Sequence, residues 1–308
     1  AHELVDAGAE VTLVDSMLPN YGASLESIED IRDKIRVNFS DIRDQYSLRF
    51  LVQGQDVVFS LAGQVSHIDS MSDPVTDLDI NCRSQLSLLE CCRAHNPQVC
   101  LVFASTRQIY GRPEFLPVTE EHRLSPIDVN GINKLAAEMY YSLYSQVYDM
   151  KAVNLRLTNT YGPRMDLCSL QKGFIGVFLG RALRGEPIRL YGSGEQRRDF
   201  NHVADVVTAL LVAGEHEGLS GCSFNLGHTE RYSLLEFVEL LQQYTDFEYS
   251  LVPFPEDRKA IDIGDYYGSF SRFQDLTGWT PTYSLSDGLQ DTIDYFRTRP
   301  HLFPSVPA

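Results

Sequence analysis

The order of apolar segments predicts an α/β protein, in which a doubly wound parallel sheet is followed by a smaller C-terminal α/β lobe. In the first half of the chain, short apolar runs rich in β-branched residues alternate with segments of helical periodicity. Continuously apolar strands between helices are typical of a parallel sheet that is covered on both faces. Ligands bind such sheets at the carboxyl ends of the strands, so the residues just after each strand are the candidates for function.

The elements follow from these runs in chain order. A short helix is predicted to end at Gly8, whose left-handed conformation would cap it. The predicted strands cover residues 11–14, 35–39, 57–61, 100–104 and 152–157, and the predicted helices cover residues 75–93, 132–148, 174–184 and 203–213.

The chain texture changes after residue 160, where Gly162-Pro163 breaks the alternation. We therefore predict a Rossmann-type dinucleotide-binding domain over residues 1–160 and a substrate-binding lobe over residues 161–308. The helix at about 203–213 is predicted to return to the first domain. The first strand of that domain is missing from the predicted order, so we expect its neighbours to have unpaired edges.

Composition excludes several classes of protein. The net charge of −16 argues against nucleic acid as a partner, because phosphate backbones bind clustered lysine and arginine. No apolar run reaches the roughly 18 residues of a membrane span. The six cysteines form no zinc-ligand spacing, so no metal site is predicted, and reduced thiols favour a cytoplasmic protein.

Asp15 directly follows the strand at 11–14. An acidic residue at this place in a dinucleotide fold accepts hydrogen bonds from the adenosine ribose, which favours NAD over NADP. The glycine-rich turn that would hold the pyrophosphate is expected upstream of Ala1.

Further motifs carry a resemblance to a known family. In chain order they are Val14-Asp15, Ser40-Asp41-Ile42, Leu61-Ala62-Gly63-Gln64, Asp73-Pro74 with Asn81, Ser105-Thr106 with Ile109-Tyr110-Gly111, Asn133-Lys134-Leu135, residues 156–163, Arg198-Asp199-Phe200, Asn225-Leu226-Gly227 and Arg258. Their order and spacing resemble the NAD-dependent epimerase/dehydratase family of extended short-chain dehydrogenases, in particular its UDP-glucose 4-epimerase-like members.

The resemblance implies binding roles. It assigns the NAD site to Asp15, Asp41, Ile42, Leu61, Ala62, Gly63, Gln64 and Lys134. It assigns the diphosphate of a nucleotide-sugar substrate to Asn159, Arg198 and Arg258, since guanidinium forks suit phosphate oxygens. It also implies a homodimer, formed through the helices at 75–93 and 132–148.

The resemblance implies a catalytic group with one departure. Family members use a tyrosine four residues before a lysine, together with a serine or threonine; here Lys134 and Thr106 match, but the tyrosine position is Asn130. An amide has no proton to exchange near neutral pH. His67 and Tyr110 are the candidates for the missing proton carrier.

The two residues after Thr106 separate the reaction types. Related 4,6-dehydratases place Asp-Glu there, whereas this sequence has Arg107-Gln108, which disfavours a standard 4,6-dehydratase. Arg107 is expected either to bind an acidic sugar, such as a uronic acid, or to form a surface ion pair.

The hypotheses are therefore a 4-epimerase, an atypical dehydratase or decarboxylase with another acid/base, and a catalytically impaired binding protein.

Overall fold

The secondary structure follows the predicted alternation. The computed structural model describes residues 1–18, 21–168, 173–256, 259 and 261–303. Its strands are β1 Val11–Val14, β2 Ile35–Asn38, β3 Val57–Ser60, β4 Cys100–Thr106, β5 Lys151–Leu157, β6 Asn159–Tyr161, β7 Ile188–Tyr191, β8 Arg197–Arg198, β9 Phe200–His202, β10 Ser223–Asn225, β11 Tyr232–Ser233 and β12 Tyr249–Val252.

The helices connect and flank these strands. They are α1 His2–Asp6, α2 Gln45–Leu51, α3 His67–Ser72, α4 Pro74–Leu78, α5 Ser84–His95, α6 Val129–Tyr148, α7 Phe174–Leu183, α8 Val203–Glu215, α9 Leu234–Leu241, α10 Ser271–Thr277 and α11 Leu285–Arg297. Short 3-10 helices cover Leu25–Lys34, Arg107–Tyr110, Glu217–Leu219 and Pro300–Leu302.

The main sheet is parallel, with the strand order β10-β5-β4-β3. The predicted α/β fold with a doubly wound parallel sheet is confirmed. β10 was not predicted, because three residues are too short for a periodicity to show. It pairs with β5 and so brings a C-terminal segment into the sheet of the first domain.

Within the described residues, the two strands beside the expected gap, β1 and β3, each pair with a neighbour on one side only. β1 pairs with β2, in register from Val11 opposite Ile35, and these two strands form a sheet of their own. Within the described ranges, β1 has no second neighbour and β3 pairs only with β4. The residues of β1 are only half-buried, whereas the interior of β4 is fully buried.

The helix predicted over residues 75–93 is divided. α4 and α5 are joined by a π-helical turn over Asp79–Arg83, in which Asn81 is fully buried. Such turns insert one extra residue into a helix and are frequent at functional sites. Here the turn directs Asn81 at the loop that follows β3.

The apolar core lies in layers around the sheet. One cluster packs α8 against β4 and β5 through Val206, Ala209 and Leu210. A separate cluster joins α7, α9 and α11 in the C-terminal part of the chain. The division at residue 160 stays a prediction.

Candidate active site

The loop after β3 is held by a buried polar network. The side-chain amide of Asn81 binds both backbone groups of Gln64. Its oxygen accepts the Gln64 N–H at 3.2 Å, and its nitrogen donates to the Gln64 carbonyl at 2.9 Å. Asn81 also donates to the carboxylate of Asp77 at 3.0 Å. Each of these three side chains is almost completely buried, and buried polar groups are stable only when they are hydrogen-bonded. The loop is therefore rigid where it approaches α6.

Asn130, the residue at the family tyrosine position, belongs to the same network. Its amide nitrogen donates to the Gln64 carbonyl at 2.7 Å and lies 3.3 Å from Asp77. The neighbouring Asn133 donates to the other oxygen of Asp77 at 2.7 Å. The geometry gives Asn130 a structural role that anchors the loop to α6, rather than the catalytic role in which the sequence had grouped it.

Lys134 lies at the carboxyl end of β4, beside Thr106. Its buried ammonium donates to the carbonyl of Ala104 at 3.1 Å and lies 4.9 Å from the ring centre of Phe103. Thr106 follows Ala104 by two residues and ends the same strand. Its hydroxyl oxygen accepts the backbone N–H of Gln108 at 3.3 Å, so its O–H is left to donate elsewhere. The predicted lysine and threonine therefore lie at the same end of β4.

The surroundings of Lys134 fit the ribose of a dinucleotide. A Cβ added to Gly63 would lie 3.0 Å from the Lys134 nitrogen and from the Asn81 amide oxygen, so a larger residue there would force one of these side chains to move. The ammonium has three N–H donors, and one of them is used by Ala104. Burial lowers the pKa of Lys134 to about 8, and the negative charge of Asp77 raises it in part. The donors that remain suit ribose hydroxyls.

The adenosine side of the predicted site is less uniform. Asp15 is half-buried at the end of β1, and one of its oxygens accepts the N–H of Met17 at 2.8 Å. Asp41 is held by Arg43 in a two-pronged contact of 2.9 and 2.7 Å, while Ile42 packs against the core beneath. Leu61 and Ala62 are exposed, as residues that line a cleft are.

Two of the three predicted substrate residues, Arg198 and Asn159, lie near the guanidinium of Arg107. Arg198 donates to the carbonyls of Arg197 and Gly264, at 2.8 and 2.5 Å, and lies 3.8 Å from Asp262. Burial, and next the positive charge of Arg107, lower the pKa of Arg198 to about 10.

Asn159 lies between Arg107 and Asp199. Its amide oxygen accepts from the Arg107 guanidinium at 3.3 Å, and its amide nitrogen donates to the carbonyl of Asp199 at 2.8 Å. The third predicted ligand, Arg258, lies outside the described residues.

Tyr110 does not face a ligand. Its hydroxyl donates to Asn225 at 2.7 Å and accepts from Arg156, and the side chain is buried. Burial raises the pKa of Tyr110 to about 12, and the Arg156 charge opposes this shift only in part. Arg156 is in turn paired with Glu138 inside the core. This geometry makes Tyr110 a structural residue and leaves His67 as the remaining candidate for proton transfer.

His67 begins α3 and lies against the start of α6. Its Nδ1 is 3.0 Å from an oxygen of Asp128, a carboxylate whose side chain is 1% exposed. Gln108 donates to the same oxygen at 3.0 Å, and the other oxygen of Asp128 caps α6 by accepting the N–H of Gly131. The imidazole itself is about one third exposed, at 32%.

Several residues of the site were missed by sequence reasoning. Asp128 precedes Asn130 by two residues and reads in the sequence as an ordinary helix cap, which it also is. Asp77 carries no motif of its own, and Gln108 is marked in the sequence only as a residue that replaces the acidic pair of the dehydratases. Only the distance of 61 positions between His67 and Asp128, closed by the fold, shows that these side chains form a pair.

Within the described ranges, no group of histidine, cysteine and acidic residues is arranged to hold a metal ion. No helix of the described chain has the length and apolarity that crossing a bilayer demands.

Comparison with known proteins identifies the family of this chain. The model of the NAD dependent epimerase/dehydratase family matches residues 1–227. The structure resembles UDP-glucose 4-epimerase from Thermotoga maritima, solved with UDP-glucose, at a TM-score of 0.87 and 30% identity, covering 96% of this chain and 94% of that one.

Two further similarities bear on the chemistry. UDP-glucose 4-epimerase of Thermus thermophilus in complex with NAD matches at a TM-score of 0.85 and 29% identity, covering 97% of this chain and 94% of that one. UDP-glucuronic acid decarboxylase 1 of Xenopus tropicalis is 29% identical over 305 residues, covering 96% of this chain and 68% of the relative.

The depressed pKa of Lys134 predicts a pH dependence of NAD affinity. Below pH about 8 the amine is an ammonium that donates charge-assisted hydrogen bonds, and as the pH rises through about 8 it loses this charge. NAD affinity, measured by calorimetry on the full-length protein, should fall above pH 8 by up to about tenfold per pH unit. Lys134→Arg, which stays charged, should remove this dependence. An unchanged affinity of the wild type between pH 7 and 10 would contradict the assignment.

Proposed function

Because the chain belongs to the NAD-dependent epimerase/dehydratase family, we propose that it is a nucleotide-sugar 4-epimerase that works through a 4-keto-sugar intermediate. The members of this family are enzymes, so the protein is an enzyme and NAD is its cofactor. The observation that carries the proposal is the placement of the Lys134 ammonium beside Gly63 and the end of β4, next to Thr106.

Each residue has a distinct part in this proposal. When bound, NAD accepts a hydride from the sugar carbon and returns it to the opposite face. Asp15 holds the adenosine ribose, and the Lys134 ammonium holds the nicotinamide ribose with the N–H donors that Ala104 leaves available. Thr106 orients the reacting sugar hydroxyl by a hydrogen bond. Holding the sugar in one geometry supplies much of the catalysis, because proximity replaces an entropic cost.

The substrate anion is met by the buried cations. Arg198 lies in the C-terminal part of the chain and faces Arg107, which follows β4. Two neighbouring guanidinium groups repel each other in the free protein, and a diphosphate between them would remove that repulsion. Asn159 adds an amide that is already oriented by Asp199. In a protein of net charge −16, this cluster is the place that suits a nucleotide diphosphate.

The proposal is tested by turnover. Full-length protein supplied with NAD should convert UDP-glucose to UDP-galactose, and Lys134→Met should lower kcat by about 10²–10⁴. Lys151→Met, which changes an exposed lysine at the start of β5, is the matched control and should leave kcat unchanged. Product is measured by chromatography. Tight binding of NAD and UDP-glucose without formation of UDP-galactose would reject the epimerase.

Arg107 favours a second candidate function, that of an enzyme acting on a nucleotide-linked uronic acid, such as a decarboxylase. Its guanidinium lies 5.1 Å from the ring centre of Tyr266 and bonds only amide oxygens, at 3.3 and 3.4 Å. No carboxylate of the described chain lies within ion-pair distance of it. Burial lowers the pKa of Arg107, with Tyr266 and Asp199 opposing this shift. A cation placed directly after Thr106 suits a sugar carboxylate, as in UDP-glucuronic acid, the substrate named for one relative.

This second function predicts a substrate-dependent effect. Arg107→Ala should lower kcat/KM for UDP-glucuronic acid by about 100-fold, because a charge-assisted pair is lost, and should change the value for UDP-glucose little. Arg123→Ala, at an exposed arginine, is the control. Equal losses on both substrates would show that Arg107 binds the diphosphate they share.

The assembly is proposed to be a homodimer formed through α4 and α6. These two helices expose a stripe of large apolar side chains, which comprises Val75, Leu78, Ile132, Met139, Leu143 and Val147. On α6, the spacing of seven and four residues places the last four on one face. An apolar face of this kind marks an interaction surface. A cytoplasmic location stays a prediction, which is based on the six cysteines that form no disulfide.

The dimer proposal is tested in solution. Met139 and Leu143 are 63% and 47% exposed, so changing both to glutamate leaves the core intact and charges the proposed interface. The double variant should be monomeric by light scattering, whereas the wild type should be dimeric. Leu251→Glu, at an exposed position of β12, is the control and should stay dimeric. A monomeric wild type would refute the proposal.

A further inference from the structure

The imidazole of His67 and the carboxylate of Asp128 form a pair that no role so far explains. Asp128 is fully buried, yet only one of its oxygens is needed to cap α6. The other oxygen receives the Gln108 amide at 3.0 Å and lies 3.0 Å from His67 Nδ1. A helix cap at a protein surface requires neither of these contacts. The second oxygen of Asp128 therefore holds the imidazole of His67 in one orientation.

The contacts decide which nitrogen of His67 carries the proton. A buried carboxylate only accepts hydrogen bonds, so Nδ1 must be the donor toward Asp128. The Gln108 nitrogen also lies 3.3 Å from Nδ1, but its hydrogen is directed to the shared oxygen of Asp128, since two donors cannot face each other. Nε2 is then the unprotonated nitrogen, and no residue of the described chain bonds it. It is a base with a free lone pair.

The pair lies where the three catalytic segments meet. His67 follows the loop whose Gln64 carbonyl is fixed by Asn130 on α6. Asp128 begins α6, the helix that carries Lys134, and Gln108 stands two residues after Thr106. The His67–Asp128 pair therefore lies at the same end of the sheet as Lys134 and Thr106.

On this basis we propose that His67, oriented by Asp128, is the acid/base that replaces the family tyrosine. The inference rests on the proposed oxidation of a sugar hydroxyl. As the sugar carbon is oxidised, the hydroxyl O–H bond breaks and an N–H bond forms at His67 Nε2, which gives an imidazolium beside the Asp128 carboxylate. In the return step the hydride goes back to the carbonyl carbon and the same proton to the carbonyl oxygen, so no net oxidation occurs. Asp128 is a positioning residue.

Electrostatics fit this exchange. The charged groups around the imidazole are Asp128 from α6, Arg107, which interacts with Asp128 across the site, and Asp69, two residues further along α3. Burial raises the pKa of Asp128, but the hydrogen bonds that its carboxylate accepts from His67, the Gly131 N–H and Gln108 outweigh it and hold the pKa below the ordinary value. Asp128 therefore stays ionised and stabilises the imidazolium, as orienting carboxylates do.

Two variants test the kinetic part. His67→Gln should lower kcat by about 10²–10⁴, because it removes the group that accepts the hydroxyl proton. Asp128→Asn keeps an oxygen to cap α6 but turns a hydrogen-bond donor toward Nδ1. It should lower kcat comparably with KM little changed. The controls are His95→Gln, at an exposed histidine, and Asp44→Asn, which changes the aspartate that caps α2.

A second readout does not depend on activity. The ¹⁵N shifts of the imidazole report which nitrogen is protonated in the resting protein. Nδ1–H is expected in the wild type and Nε2–H in Asp128→Asn. A wild-type Nε2–H, or near-normal kcat in a folded His67→Gln variant, would overturn the proposal. If no nucleotide sugar is turned over at all, the proposed function fails, and the ¹⁵N assignment alone then decides whether the pair is built as described.

Discussion

The buried carboxylate of Asp77 is the constraint on which the site depends. It has almost no contact with water and accepts from three amides, those of Asn81, Asn130 and Asn133, at 3.0, 3.3 and 2.7 Å. A buried charge is costly unless it is hydrogen-bonded in this way, so the three amides cannot turn to other partners. Two of them also hold the Gln64 carbonyl. The loop after β3 and the start of α6 are therefore joined as one rigid unit.

This network gives the departure at Asn130 a physical meaning. A tyrosine there would extend toward the cleft and could not donate to the Gln64 carbonyl and Asp77 as the amide does. The single replacement of tyrosine by asparagine at position 130 therefore removes the phenol and adds the hydrogen bonds that hold the loop. The anchored loop leads directly into α3, so the position of His67 depends on it. In the proposed mechanism His67 on α3 carries the proton, and Asn130 on α6 holds the loop that leads into α3.

The charged groups of the site lie in environments that destabilise the ligand-free protein. Arg107 and Arg198 lie close enough to lower the pKa of Arg198, although the chain as a whole is strongly acidic. Lys134 is also buried with a depressed pKa. Groups held in such unfavourable environments are concentrated at functional sites, because a ligand of opposite charge relieves them. The anionic cofactor and substrate provide that charge.

Sequence patterns alone determined the alternation of strands and helices, the predicted bounds of β1 and α6 to within a few residues, and the order of the family motifs. These are local properties, since burial periodicity and turn residues act within one segment. Tertiary structure alone decided that Asn130 anchors a loop, that Tyr110 is buried against Arg156, and that Asp128 faces His67. Such contacts join residues far apart in the chain, and no local pattern encodes which of two polar side chains the fold will bring together.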